Sequence, residues 1–158
     1  MTNIFNAAEI IDMGIEKEKK RRDFYALVAK KFKDKEMHEL FTRLEGWEDE
    51  HIKKFTEIRA SVEDLEIAGS YQGEFEAYIK SVVDDILYKQ VSPEWFARNV
   101  KSELTAIKYG IGFEKDAILF FDELLRYMMP PYEEKVRMLI QEEKKHIIYL
   151  TEMRRKYE

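Results

Sequence analysis

Glu48-x-x-His51 and Glu143-x-x-His146 are two copies of one spacing, set far apart in the chain. Each follows a lone glutamate at nearly the same distance, Glu18 before the first copy and Glu114 before the second. Residues three apart share a face of an α-helix, so each motif presents a carboxylate oxygen and an imidazole nitrogen side by side. A four-helix bundle that turns one Glu from each of two helices and one Glu-x-x-His from each of the others inward holds a di-metal carboxylate site. The ligands this pattern predicts are Glu18, Glu48, His51, Glu114, Glu143 and His146. One Glu-x-x-His in a Glu-rich helical chain is commonplace. Two of them, each with a matched upstream Glu, are not.

Four amphipathic stretches are available to position these residues. Ile11, Ile15, Glu18, Tyr25 and Phe32 form a stripe over residues 6–31, and Met37, Phe41, Leu44, Glu48, His51, Phe55 and Ile58 form one over residues 34–62. Leu104, Ile107, Ile111, Glu114, Ile118, Phe121 and Leu125 line a third over residues 102–129. Tyr132, Val136, Leu139, Glu143, His146, Leu150 and Met153 line a fourth over residues 131–157. Alternating steps of three and four are those of core-facing bundle helices. Pro130-Pro131 separates the third from the fourth, with Pro131 suited to a first helical position. A single domain over residues 1–158 is expected: a hairpin at 6–62, a crossover at 63–101 and a hairpin at 102–157. The crossover has loop signals at Ala68-Gly69-Ser70 and Gly73, a short amphipathic helix at 74–88, and a restart at Ser92-Pro93-Glu94. Two hairpins joined by so long a connection predict an all-α, ferritin-like four-helix bundle rather than an up-down-up-down one.

The halves also resemble each other. Shifted by 96 residues, Gly14, Ile15, Glu18, Lys19 and Phe24 fall on Gly110, Ile111, Glu114, Lys115 and Phe120; shifted by 95, Leu44, Glu48, His51 and Ile52 fall on Leu139, Glu143, His146 and Ile147. Glu18 and Glu48 are centred on Lys33, where the first helix must turn into the second. Glu114 and Glu143 are centred between Met128 and Met129, just before the prolines. Each hairpin thus brings its lone Glu level with its Glu-x-x-His, and four glutamates share one layer. Carboxylates in such seam positions must be paired, protonated or bound to metal. Two divalent cations would neutralise four glutamates with both imidazoles neutral, and this donor set suits iron or manganese. Glu18 and His51 would cap one ion, Glu114 and His146 the other, and Glu48 and Glu143 would bridge. Glu16, Glu45, Asp49, Glu50 and Glu142 fall off the stripes and read as solvated, as does His38. Gly14 and Gly110, each four residues before a lone Glu, read as sites of tight packing before they read as room for a small oxidant.

Composition excludes several classes of function. The absence of cysteine removes disulfides, a thiol nucleophile, Cys-ligated zinc and iron–sulfur centres. A net charge of -5 argues against nucleic acid as a partner, and the basic run Lys17–Arg22, interrupted by Glu18, reads as a solvated helix face. No apolar stretch is long enough to span a membrane, and residues 1–6 lack the features of a secretory signal, which leaves the cytoplasm as the expected location. Tyr71, Phe75, Tyr78, Trp95 and Phe96 in the crossover would either cover the bundle or form an interface, and a homodimer is expected.

With its ligand pattern and the local contexts Ile15-Glu16-Lys17-Glu18, Phe24-Tyr25, Glu48-Asp49-Glu50-His51, Glu114-Lys115-Asp116, Phe120-Phe121 and Glu143-Lys144-Lys145-His146, the chain resembles the rubrerythrin-type branch of the ferritin-like superfamily. The resemblance covers both hairpins. It implies a non-haem di-iron site that reacts with hydrogen peroxide or dioxygen, the six residues above serving as iron ligands. It also implies that Tyr25 hydrogen-bonds a ligand carboxylate; the matching position in the second half is Phe121, so that role is one-sided. Rubrerythrins carry a cysteine-ligated rubredoxin domain that supplies electrons. This chain has no cysteine, so its electrons would come from a separate partner. The expectation is an oxidoreductase that reduces peroxide. Ferroxidase chemistry for iron storage is the alternative, and a non-catalytic helical scaffold is a third reading.

Overall fold

The computed structural model describes residues 7–61, 77, 81, 91–126, 128 and 130–158. Five helices are defined among them: α1 (Ala7–Lys31), α2 (Lys35–Ser61), α3 (Pro93–Asn99), α4 (Glu103–Leu125) and α5 (Pro130–Tyr157). The expected helix at 74–88 and the Gly-containing loop before it lie outside the described residues apart from Ala77 and Ser81.

Local chemistry sets most of the boundaries. Between α1 and α2, Asp34 Oδ1 accepts a hydrogen bond from Met37 N at 3.0 Å, which caps the first turn of α2. Lys30 and Lys31 close α1 with the charge its C-terminal dipole favours. Lys33 lies in this turn, where the symmetry of Glu18 and Glu48 puts it. Ser92 and Ser102 cap α3 and α4, accepting from Trp95 N at 3.1 Å and Thr105 N at 3.2 Å. Pro93 stands at the N-terminus of α3, so the restart read at Ser92-Pro93 is a helix of its own. The third long helix is shorter than the expected span of 102–129: α4 stops at Leu125, the last member of its stripe, and Arg126 N turns back to Glu123 O at 3.2 Å. Outside α1, His38 is exposed, as expected, and its Nδ1 donates to Ala29 O at 2.7 Å near the end of that helix.

The two hairpins, α1 with α2 and α4 with α5, carry the densest packing, and they meet through α1 against α4 and α2 against α5. The buried residues of α2 are Met37, Phe41, Leu44, Glu48, His51, Phe55 and Ile58, the seven of its sequence stripe. The core falls into two apolar clusters. One gathers Phe24, Tyr25, Phe41, Leu44, Trp95, Phe96, Ile107, Phe113 and Leu150. The other gathers Ile10, Ile11, Phe55, Ile58, Phe120, Phe121, Leu124, Val136 and Leu139. Along each long helix the Glu and His residues fall between members of the first cluster and members of the second. Trp95 and Phe96 cover their own bundle: Phe96 meets Phe24 edge-on at 5.7 Å and Trp95 meets Tyr109 at 5.3 Å. Tyr71, Phe75 and Tyr78 lie outside the described residues.

Gly14 and Gly110 face packed side chains, unlike the helix glycines Gly46 and Gly112. A Cβ on Gly14 would stand 3.0 Å from Phe120 Cε1, and one on Gly110 would stand 3.3 Å from Leu150 Cδ1. Close approach, rather than open space, accounts for them. Gly14→Ala should therefore destabilise the protein by about 1 kcal/mol net in denaturant unfolding, overpacking outweighing the gain in helix propensity.

Candidate metal centre

All six expected residues come together. Glu18 on α1, Glu48 and His51 on α2, Glu114 on α4, and Glu143 and His146 on α5 are buried. Their atoms form two overlapping groups, Glu18–Glu48–His51–Glu143 and Glu48–Glu114–Glu143–His146, each with its potential ligand atoms within 4.8 Å of one another. Glu48 and Glu143 belong to both.

Both imidazoles turn Nδ1 inward. His51 Nδ1 lies 2.5 Å from Glu143 Oε1, 3.5 Å from Glu48 Oε2 and 3.6 Å from Glu18 Oε2. His146 Nδ1 lies 3.2 Å from Glu114 Oε1, 3.4 Å from Glu48 Oε1 and 3.5 Å from Glu143 Oε2. The two rings are nearly parallel, with centroids 5.6 Å apart. One oxygen of each carboxylate, Glu18 Oε2, Glu48 Oε1, Glu114 Oε2 and Glu143 Oε2, is buried without a hydrogen-bond partner. Buried carboxylate oxygens seldom stay unsatisfied, and all four carboxylates belong to groups whose geometry could hold a metal ion. The donor set fits a pair of ions.

Tyr25 reaches the carboxylate layer. Its hydroxyl donates to Glu114 Oε1 at 2.6 Å, reaching from α1 to the opposite hairpin. Phe121, at the matched position, instead stacks on Phe55 at 4.7 Å.

The basic run before Arg22 departs from expectation. Lys17 and Arg21 are not on a solvated face: Lys17 is 5% exposed and Arg21 is fully buried. Lys17 Nζ pairs with Asp116 on α4 at 2.7 Å. Arg21 Nη2 donates to Glu18 Oε1 at 2.5 Å, Glu48 Oε2 at 2.9 Å and Glu143 Oε1 at 3.2 Å. The carboxylate layer therefore contains a fixed guanidinium, and four glutamates do not face the two imidazoles alone. The signal was in the spacing: Arg21 lies three residues after Glu18 and four before Tyr25, which completes the stripe of α1.

Glu142 is the second departure. It is only partly exposed, and His51 Nε2 donates to its Oε2 at 2.5 Å while Lys54 reaches Oε1 at 3.2 Å. A carboxylate on the outer nitrogen of an imidazole fixes the tautomer that leaves the inner nitrogen free to bind metal. Of the other acids read as solvated, Glu16 and Glu50 are exposed, and Glu45 and Asp49 are partly so.

The environment separates the charges. Burial pushes the Glu18 carboxyl up to about 8, helped by Glu48 and Glu143 and opposed by Arg21. Burial also acts to raise Glu48, but Arg21 and the neighbouring Glu18, His146 and His51 outweigh it and hold this carboxyl well below its usual range. Glu143 is lowered in the same way by Arg21 and both histidines, against burial and the nearby Glu48. Burial disfavours charge on the imidazoles, yet His51 is raised by Glu142, Glu143, Glu18 and Glu48, and His146 by Glu143 and Glu48. Glu142 is lowered to about 2, chiefly by His51 and partly against burial.

A path to the surface runs beside His146. Trp47 stacks on that ring at 5.0 Å with an interplanar angle of 11°, and Tyr149, 38% exposed, stacks on Trp47 at 5.6 Å. A cavity of about 320 Å³ opens here, lined by Trp47, Glu50, Lys54, Glu142, Lys145, His146 and Tyr149. No helix among the described residues is long and apolar enough to cross a membrane.

This architecture is the ferritin-like one. The chain superposes over its full length on the full length of a ferritin-like diiron-carboxylate protein of Thermotoga maritima, with a TM-score of 0.72 and 19% sequence identity. At that identity the likeness concerns the fold. No protein-family model matches the chain, and no curated protein does either.

Proposed function

We propose that this chain is a non-haem di-iron oxidoreductase of rubrerythrin type that reduces hydrogen peroxide with electrons from a separate donor. The observation that carries the reading is the sharing of Glu48 and Glu143 between two Glu/His groups whose carboxylates each keep one buried oxygen unsatisfied. Glu18 and His51 would hold one iron, Glu114 and His146 the other, with Glu48 and Glu143 between them. Carboxylate oxygen and imidazole nitrogen suit iron, and manganese fits the same donors. The diiron-carboxylate description of the Thermotoga maritima protein supports iron. A ferrous pair, when bound, supplies the two electrons that cleavage of a peroxide O–O bond takes up.

The protein's own residues do the rest. Glu142 orients His51 and Tyr25 orients Glu114. The apolar clusters on either side of the layer keep bulk water out, and the cavity beside His146 admits a small oxidant. The rings of Tyr149, Trp47 and His146 form a stacked route inward for electrons from a docked donor. Glu142→Ala should weaken metal binding by about 10- to 100-fold, the usual cost of losing the carboxylate behind a ligating imidazole. A chelator competition titration measures it.

Stopped-flow absorbance of anaerobically iron-loaded protein, mixed separately with hydrogen peroxide and with dioxygen, tests the assignment. Oxidation far faster with peroxide is expected. Comparable or faster oxidation by dioxygen would replace the peroxide reductase with an oxidase or with a ferroxidase serving iron storage.

A further inference from the structure

The two halves of the centre differ in one respect that their sequence symmetry does not suggest. Arg21 Nη2 stands at 2.5, 2.9 and 3.2 Å from oxygens of Glu18, Glu48 and Glu143. With His51, those three glutamates are one complete group able to hold an ion. From Glu114, the distinguishing carboxylate of the other group, Arg21 Nε stands 3.8 Å away. In the second half of the chain, the position 96 residues after Arg21 is Ala117, a buried methyl. A permanent cation thus holds Glu18 and the His51-side oxygens of the two shared carboxylates, and among the described residues no matching cation stands on the His146 side.

We propose that Arg21 makes the two metal positions unequal: an ion fills the Glu48–Glu114–Glu143–His146 half first, and a second enters beside Glu18 and His51 only as the guanidinium withdraws. The proposal rests on the di-metal reading above and adds an order of loading to it. Arginine does not give up its proton in proteins, so it cannot become a neutral neighbour of a metal ion. A guanidinium and a metal ion cannot both occupy the centre of the same three carboxylates. With the guanidinium present, two divalent ions would also leave the buried layer with one positive charge in excess. Phe113 O, which already accepts from Arg21 Nη1 at 3.5 Å, can keep the guanidinium partnered as it moves. A unit charge at about 4 Å in a protein-like dielectric opposes a divalent cation by about six powers of ten in affinity, so the second ion enters only with the guanidinium displaced, and the work of displacing it weakens that ion relative to the first. One ion would then be held firmly and the other exchangeably, with Arg21 keeping the Glu18 side together in its place.

Anaerobic titration with Co(II), followed by visible absorbance and calorimetry, tests this on the wild type, Arg21→Met, His51→Ala and His146→Ala. The wild type should bind two ions in separate phases, the second roughly a hundredfold weaker than the first. In Arg21→Met the two affinities should converge through tightening of the weaker phase. His146→Ala should abolish the tight phase, and His51→Ala should leave it and remove the weak one. If Arg21→Met does not fold, the two histidine variants still decide, because each retains the guanidinium. Two ions of equal affinity in the wild type would overturn the proposal and leave the di-metal reading standing. A gap that persists in Arg21→Met, or a tight phase lost in His51→Ala, would overturn it too. Failure of the wild type to bind Co(II) in either phase would overturn both.

Discussion

Removing Glu143 should cost the protein most of its metal, more than removing any carboxylate that belongs to one side alone. Glu143 Oε1 lies 2.5 Å from His51 Nδ1 and Glu143 Oε2 lies 3.5 Å from His146 Nδ1, so one side chain serves both groups. Glu143→Ala takes a ligand from each and leaves Arg21 closer to neutralising what remains. Metal content after anaerobic loading and desalting should fall from about two ions per chain to well below one. Glu48→Ala should do the same, since Glu48 is also common to both groups. Glu18→Ala removes a ligand from one group only and should leave close to one ion bound. If Glu48→Ala and Glu143→Ala both retain metal like the wild type, neither residue bridges.

The second large effect is on pH. Metal ligands bind as unprotonated imidazole and carboxylate, and binding therefore releases whatever protons the free ligands carry. Near neutrality the Glu18 carboxyl, at about 8, is largely protonated, and both imidazoles are shifted toward their protonated form by the carboxylates around them. Metal binding should release on the order of two to three protons, and a drop of one pH unit should weaken it by roughly 100- to 1,000-fold. Calorimetry in buffers of different ionisation enthalpy counts these protons directly. Stability of the metal-free protein should run the opposite way with pH. Folded-state values raised for Glu18, His51 and His146 give stability that is present at low pH, below the ordinary 4.5 for Glu18 and 6.5 for the histidines, and lost as pH rises through the raised values. Values lowered for Glu48 and Glu143 give stability that is present above 4.5 and lost on acidification through the lowered values. The metal-free protein should thus be most stable in mildly acidic solution, and the loaded protein above neutrality. Thermal melts of both forms from pH 4 to pH 9 would reveal a crossing of this kind. Parallel profiles would mean that the buried cluster does not carry these protons.

The six central residues were legible because a bundle imposes a strict period, and a charged residue on an otherwise apolar stripe has few reasons to be there. The hairpin turn at Lys33 and the break at Pro130-Pro131 were legible from the same symmetry and from backbone chemistry. Arg21 was not. It stands among Lys17, Lys19, Lys20 and Arg22, and a run of like charges resembles a solvated face. Only Glu18 is paired with it by local spacing, and its other two acceptors, Glu48 and Glu143, come from two other helices. Lys17 was missed for the same reason, because its partner Asp116 lies in the other hairpin. Glu142 sits one residue from the α5 stripe, at the edge of the buried face, where only the approach of α2 brings His51 to it. The end of α4 at Leu125, the last member of its stripe and short of the expected bound at 129, reflects a turn that Arg126 closes rather than any helix-breaking residue at that point.

Electron paramagnetic resonance of the protein saturated with Mn(II) tests the shared centre most directly. Two ions bridged by Glu48 and Glu143 should give an exchange-coupled spectrum, and that coupling should vanish in Glu143→Ala. Two Mn(II) ions per chain with only the spectrum of isolated, uncoupled ions would contradict a carboxylate-bridged pair.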